Sequence, residues 1–158
     1  MNCNGAVVDS DFWTSWVPAA PFRAWLNFLA DATGFDPGAI AVAAGVSTGV
    51  GRSLASGGRH SQRIRSLDAR GLLSLDVEAL QWHGSRLTDA GLAHKALADL
   101  GELCPAPEDL ARLLGVGEKT AQGLVTGELR LCRREVLWHC LALTQGILSA
   151  IGDPACRP

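Results

Sequence analysis

The chain has no apolar run approaching the ~18 residues that a membrane-spanning helix needs, so no span is expected. Its opening stretch, MNCNGAVVDSD, has no basic region and no long apolar core, so no signal peptide is read there. The expected compartment is the cytoplasm. There is no CxxC pair. The five cysteines stand at 3, 104, 132, 140 and 156, and Cys132, His139 and Cys140 lie seven and one residues apart, which is poor zinc spacing. Buried reduced thiols on a helix are expected there, with no metal and no cofactor. No Gly-x4-Gly-Lys-Ser/Thr phosphate loop occurs. His60, His83, His94 and His139 join no Ser/His/Asp or metal constellation, so catalytic residues and an enzymatic role are not expected. Net positive charge is lacking too: the balance is −2, which argues against a strongly basic nucleic-acid binder. Lysine is almost absent, with Lys95 and Lys119 alone among 14 basic residues. Together with abundant Ala and Gly, that bias is the composition of a GC-rich bacterial or phage genome.

What the chain does have is a repeat. Residues 37–57 read PGAIAVAAGVSTGVGRSLASG and residues 107–127 read PEDLARLLGVGEKTAQGLVTG, aligned without a gap at an offset of 70. The copies share Pro37/Pro107, Ala41/Ala111, Gly45/Gly115, Val46/Val116, Leu54/Leu124 and Gly57/Gly127. Internal repetition of this kind marks one supersecondary unit used twice. Each Pro suits a first helical position, where no N–H donor is needed, and Asp36 precedes the first as an N-cap. An apolar stripe follows, at Ile40, Ala41 and Ala44, and at Leu110, Ala111 and Leu114. Gly45 and Gly115 stop the helix by taking positive φ, and a second short helix follows. A small Ala in the first helix lets the two cross closely. Helix, tight turn and helix is the helix-turn-helix layout.

The rest of the chain reads in the same terms. Residues 1–15 are a polar arm, and 16–21 an extended lead-in. Helices are expected over 22–33, 64–75, 87–100 and 131–151. The flanking helices extend the repeat to about 60 residues per copy. The expected fold is therefore all-α: two tandem four-helix helix-turn-helix domains arising from an internal duplication. They would cover 16–76 and 87–151, with 77–86 as linker and 152–158 as tail. The five tryptophans are expected in the core, and an exposed pair would favour a protein partner.

In such a unit the second helix enters the major groove. The outward set in the first copy would be Ser47, Thr48, Gly49, Arg52 and Ser53, with Arg52 able to pair with guanine O6 and N7. From Arg52 to Arg70 there are five Arg against Asp68 alone, a local charge of +4. Arg59, His60, Arg63 and Arg65 suit flanking phosphates. In the second copy the outward set would be Glu118, Lys119, Gln122 and Gly123, with Arg130, Arg133 and Arg134 flanking. Gly49 and Gly51 stand inside the first copy's second helix, each costing ~1 kcal/mol of helix propensity against Ala.

These segments resemble known families. WVPAAPFRAWL, then IAVAAGVS, then RSLASG and RIRSLDARGLLSL resemble a helix-turn-helix pattern common in small DNA-binding proteins of actinobacteria and their phages. The likeness covers about 16–75 and, more weakly, 87–145. It implies a sequence-specific regulator of the repressor kind that binds double-stranded DNA, as a monomer or homodimer. LARLLGVGEKTAQGLV also resembles the helix-hairpin-helix motif of repair proteins. That implies sequence-independent phosphate binding by the backbone N–H groups of Gly115-Val116-Gly117. The repeat favours the duplicated helix-turn-helix. A packing-only role for the units, or a module docking on a protein partner such as an antitoxin or phage factor, stays open at this point.

Overall fold

The computed structural model describes residues 15–58 and 62–152. Pro18 keeps the residue before it extended, and β1 (Trp16–Pro18) pairs antiparallel with β2 (Arg63–Arg65), Val17 opposite Ile64. Between the two strands run α1 (Ala20–Thr33), α2 (Pro37–Ala43) and α3 (Thr48–Ser56), and α4 (Ser66–Leu73) follows β2. The same order then recurs. β3 (Leu87–Asp89), α6 (Gly91–Ala98), α7 (Pro107–Leu114), α8 (Glu118–Thr126), β4 (Leu131–Arg133) and α9 (Arg134–Gly152) make up a second unit. Between the units lies α5 (Val77–Ser85). The described residues are thus mostly helical, with two two-stranded ladders among them. No described helix is long and apolar enough to cross a membrane.

Local chemistry sets these boundaries. Asp36 accepts the Gly38 N–H at 2.8 Å and caps α2, while Ser47 accepts from Val50 N–H at 3.3 Å and caps α3. Gly45 and Gly115 sit at φ 71° and 64°, which only glycine takes without steric cost. Each closes the same pair of bonds. Val46 N–H reaches Ala41 O at 2.8 Å and Gly45 N–H reaches Val42 O at 3.0 Å; Val116 reaches Ala111 O at 3.0 Å and Gly115 reaches Arg112 O at 3.4 Å. This double closure fixes the corner between the paired helices. At the far end of α3, Arg23 Nε donates to Leu54 O at 2.9 Å, and at the matching place His94 Nδ1 lies 3.0 Å from Leu124 O. A carbonyl only accepts, so that imidazole carries its hydrogen on Nδ1.

Two cores result. Leu26, Leu29, Ile40, Leu54, Leu72 and Leu80 close the first; Leu97, Leu110, Leu114, Ala121, Leu124 and Cys140 close the second. They are not independent. Helix α9 packs on its own unit through α6 and α7, and also on α2, α3 and α5. Trp138 of α9 packs against the first core, edge-on to Phe35 with ring centroids 6.4 Å apart.

Several expectations are corrected. The helices read from 64, 87 and 131 begin at Ser66, Gly91 and Arg134, because the chain at 63–65, 87–89 and 131–133 pairs as strands. Ile64 and Cys132 are buried by that pairing, and three residues are too few for a period of two to be read. The lead-in 16–21 is β1 followed by the start of α1, and 77–86 is α5 for most of its length. Leu67 and Leu92 are 57% and 61% exposed; α4 buries Ala69 and Leu72, and α6 buries Ala93 and Leu97. Trp16 and Trp82 are exposed, Trp25 and Trp138 are half-buried, and Trp13 lies outside the described residues.

Gly51 explains one apparent cost. A Cβ there would lie 2.5 Å from Ala41 Cβ and 3.0 Å from Pro37 O, so α2 and α3 cross where neither carries bulk. Gly51→Ala is expected to lose up to about 2 kcal/mol. Overpacking of ~1–3 kcal/mol outweighs a propensity gain of ~1 kcal/mol. Gly49→Ala, with nothing within 4 Å of the new Cβ, is expected to gain up to ~1 kcal/mol. Urea midpoints at unchanged slope measure both.

The second core also holds thiols. Cys132 and Cys140 are buried and Cys104 half-buried, all three free. Burial pushes Cys140 up from 9.0 to about 12, with further upward pressure from Cys132 and Cys104. The folded state therefore keeps a proton that the unfolded chain releases above about pH 9. Stability is full below that pH and falls as pH rises towards 12, by about tenfold in the folding constant per unit. Cys140→Ala is expected to flatten this alkaline loss in urea titrations at pH 8 to 11.

Candidate nucleic-acid interface

Helix α3 has two working sides. On one, Ser47, Gly49 and Ser53 are exposed, and Val50 is half-buried beside them. The β1/β2 ladder stands next to this side. Its register places Trp16, Pro18, Arg63 and Arg65 on the outer face, with Val17 and Ile64 turned inward. Arg63 Nη2 donates to Trp16 O at 2.8 Å, and the Arg65 guanidinium lies 5.9 Å from the centre of the Trp16 ring. Helix and ladder enclose an open groove of about 420 Å³, lined by Trp16, Ser47, Gly49, Ser53, Arg63 and Arg65 among others, with Asp68 its one acid. Both guanidiniums are therefore held at a wall while staying in contact with solvent.

The other side of α3 is covered, and this corrects the outward set. Thr48 is only 2% exposed, and its Oγ1 donates to Gln145 Oε1 at 3.0 Å. Arg52, one helical turn on, donates from Nη2 to Ala142 O at 3.1 Å and lies 3.9 Å from Asp36 Oδ2. Its guanidinium rests on Gly146, where any Cβ would collide with it. Residues four apart share a helix face, so α9 takes Thr48 and Arg52 together, while Gly49 and Ser53 on the other side are exposed. Arg59 and His60 lie outside the described residues.

In the second unit Glu118, Lys119, Gln122, Arg130 and Arg133 are exposed, whereas Gly123 is buried, which removes it from the outward set, and Arg134 is half-buried. Arg133 Nη1 lies 3.4 Å from Glu135 Oε1. Here, among the described residues, no helix lies over the side of α8 that corresponds to the one α9 covers on α3, and Glu118 and Gln122 are exposed. The ladder differs in kind. Leu87 stands in the place of Trp16 and Leu131 in that of Arg63, 66% and 55% exposed, and only Arg133 matches Arg65. The strongest basic surface thus belongs to the first unit.

Trp16 was the residue missed in this site. Its sequence context, before Val17-Pro18, signals an extended strand, but only pairing with a strand 47 positions away brings it to Arg65. No protein-family model, curated protein or solved structure matches the chain.

Proposed function

We propose that the chain is a duplex-DNA-binding regulator built from two copies of one helix-turn-helix unit, duplicated within the gene. The observation that carries the reading is the pair Arg63 and Arg65, side by side on the outer face of β2 and open to solvent beside α3. Alternate residues of a strand spaced this way meet successive phosphates, and Arg binds phosphate bidentately. Gly49 lets a base edge or sugar approach the α3 backbone. Ser47 and Ser53 supply permissive hydrogen bonds, and Val50 offers an apolar contact for a thymine methyl. In the second unit Gln122 suits adenine and Glu118 suits a cytosine N4 amino group, with Lys119 and Arg130 on phosphates.

The test is selection of bound duplexes from a random pool at near-physiological salt. A recovered motif supports a sequence-specific regulator. Binding without a motif favours backbone recognition of the helix-hairpin-helix kind at Gly115-Val116-Gly117. Absence of binding overturns the reading. A protein-partner role has one observation in its favour: Trp82 on α5 is 65% exposed, beside Asp76, Glu78 and His83. Lone exposed indoles of this type serve as anchors in protein interfaces.

A further inference from the structure

The outer face of the β3/β4 ladder carries four exposed side chains at the corners of a rectangle. Leu87 lies opposite Arg133, and Asp89 lies opposite Leu131. The two leucines therefore occupy one diagonal, and the two charges the other. From this pattern we infer that the β3/β4 face is a contact between two copies of this chain.

Symmetry and charge together select one orientation. A homodimer contact is isologous: the same patch meets itself about a twofold axis lying in the interface. Four axes run through the centre of such a rectangle. An axis along either edge sets each leucine against a charge. An axis through Asp89 and Arg133 sets each charge on its own copy. An axis through Leu87 and Leu131 sets Leu87 on Leu87, Leu131 on Leu131, and Asp89 against the partner's Arg133 twice. Only the last orientation buries apolar on apolar and pairs opposite charges. The Asp89 carboxylate accepts the Gly91 N–H through Oδ1 at 2.6 Å, which fixes it at the corner and leaves Oδ2 for a guanidinium. Among the described residues, Arg133 has one ion-pair neighbour in its own chain, the half-buried Glu135 at 3.4 Å, and its own side chain stays 66% exposed.

The first unit supplies the contrast. Its equivalent face holds Trp16, Pro18, Arg63 and Arg65. The same operation there would set Arg63 on its own copy, so that face repels itself. The two ladders thus have the same backbone and opposite tendencies towards self-contact.

Four side chains per copy make a small interface, so dissociation in the tens to hundreds of micromolar is expected. The experiment is sedimentation of the full chain without DNA, combined with single-cysteine cross-linking. Leu87→Cys lies on the axis and is expected to form a disulfide-linked dimer under mild oxidation, beyond the level of the unaltered chain. Asp89→Cys and Arg133→Cys lie off the axis. Each is expected to cross-link poorly alone and well when the two are mixed. Arg133→Asp should leave a monomer, and adding Asp89→Arg should restore association. Monomer at every concentration overturns the proposal, as does equal self-linking of Leu87→Cys and Arg133→Cys. Loss of the contact leaves the DNA reading intact, because Arg63 and Arg65 are on the other ladder.

Discussion

Replacing Arg63 and Arg65 together by alanine is expected to lower affinity for every duplex by about 60-fold at ~0.1 M salt. Each phosphate neutralised by an Arg releases ~0.9 of a condensed counterion, worth about eightfold at that salt, and two contacts multiply. The slope of log affinity against log salt should fall by about two. Discrimination between duplexes should hardly change, because phosphates carry no sequence. Both side chains are exposed on an outer ladder face, so folding should be unaffected, and a thermal melt of the variant checks that. Arg52→Ala makes the informative comparison. Its guanidinium is committed to Ala142 O and sits near Asp36, so the variant should lose stability rather than the reading of one base. An intact double variant with a crippled Arg52→Ala would place the contact surface on the wrong side of α3.

Trp138→Ala is expected to cost about 2–4 kcal/mol, and to uncouple the two cores. The indole belongs to the second unit by sequence but packs on the first core beside Phe35. With it in place, α9 is part of both cores, and urea unfolding should follow one transition by fluorescence and by circular dichroism. Without it, the probes should separate, the first unit melting earlier. A loss under ~1 kcal/mol with coincident transitions would mean that α2 and α5 hold α9 without the indole.

Much of the unit was legible because its signals are local. Proline at a helix start, Asp36 before it and glycine after the first helix each act within a few residues, and all three do so here. The strands were not legible, since each is three residues long and stabilised by a partner 40 or more positions distant. Helix α5 carried a readable start, with Asp76 accepting from Ala79 N–H at 2.7 Å, but it is short and buries only Leu80 and Gly84. The reading side of α3 divided in the same way. Its phase could be counted from sequence, and 48/52 and 49/53 fall on different sides. Which side is covered depends on a helix about 90 residues further on.

That last dependence bears on how the protein is made. The first unit leaves the ribosome with Thr48, Arg52 and the adjoining flank of α2 uncovered, and they stay so until α9 has emerged. Since α9 is the last helix described, the first unit is synthesised early yet finished late. A truncation that removed only α9 would therefore damage the amino-terminal unit along with its own. During translation, the open flank of α3 and α2 is the surface that a chaperone would meet.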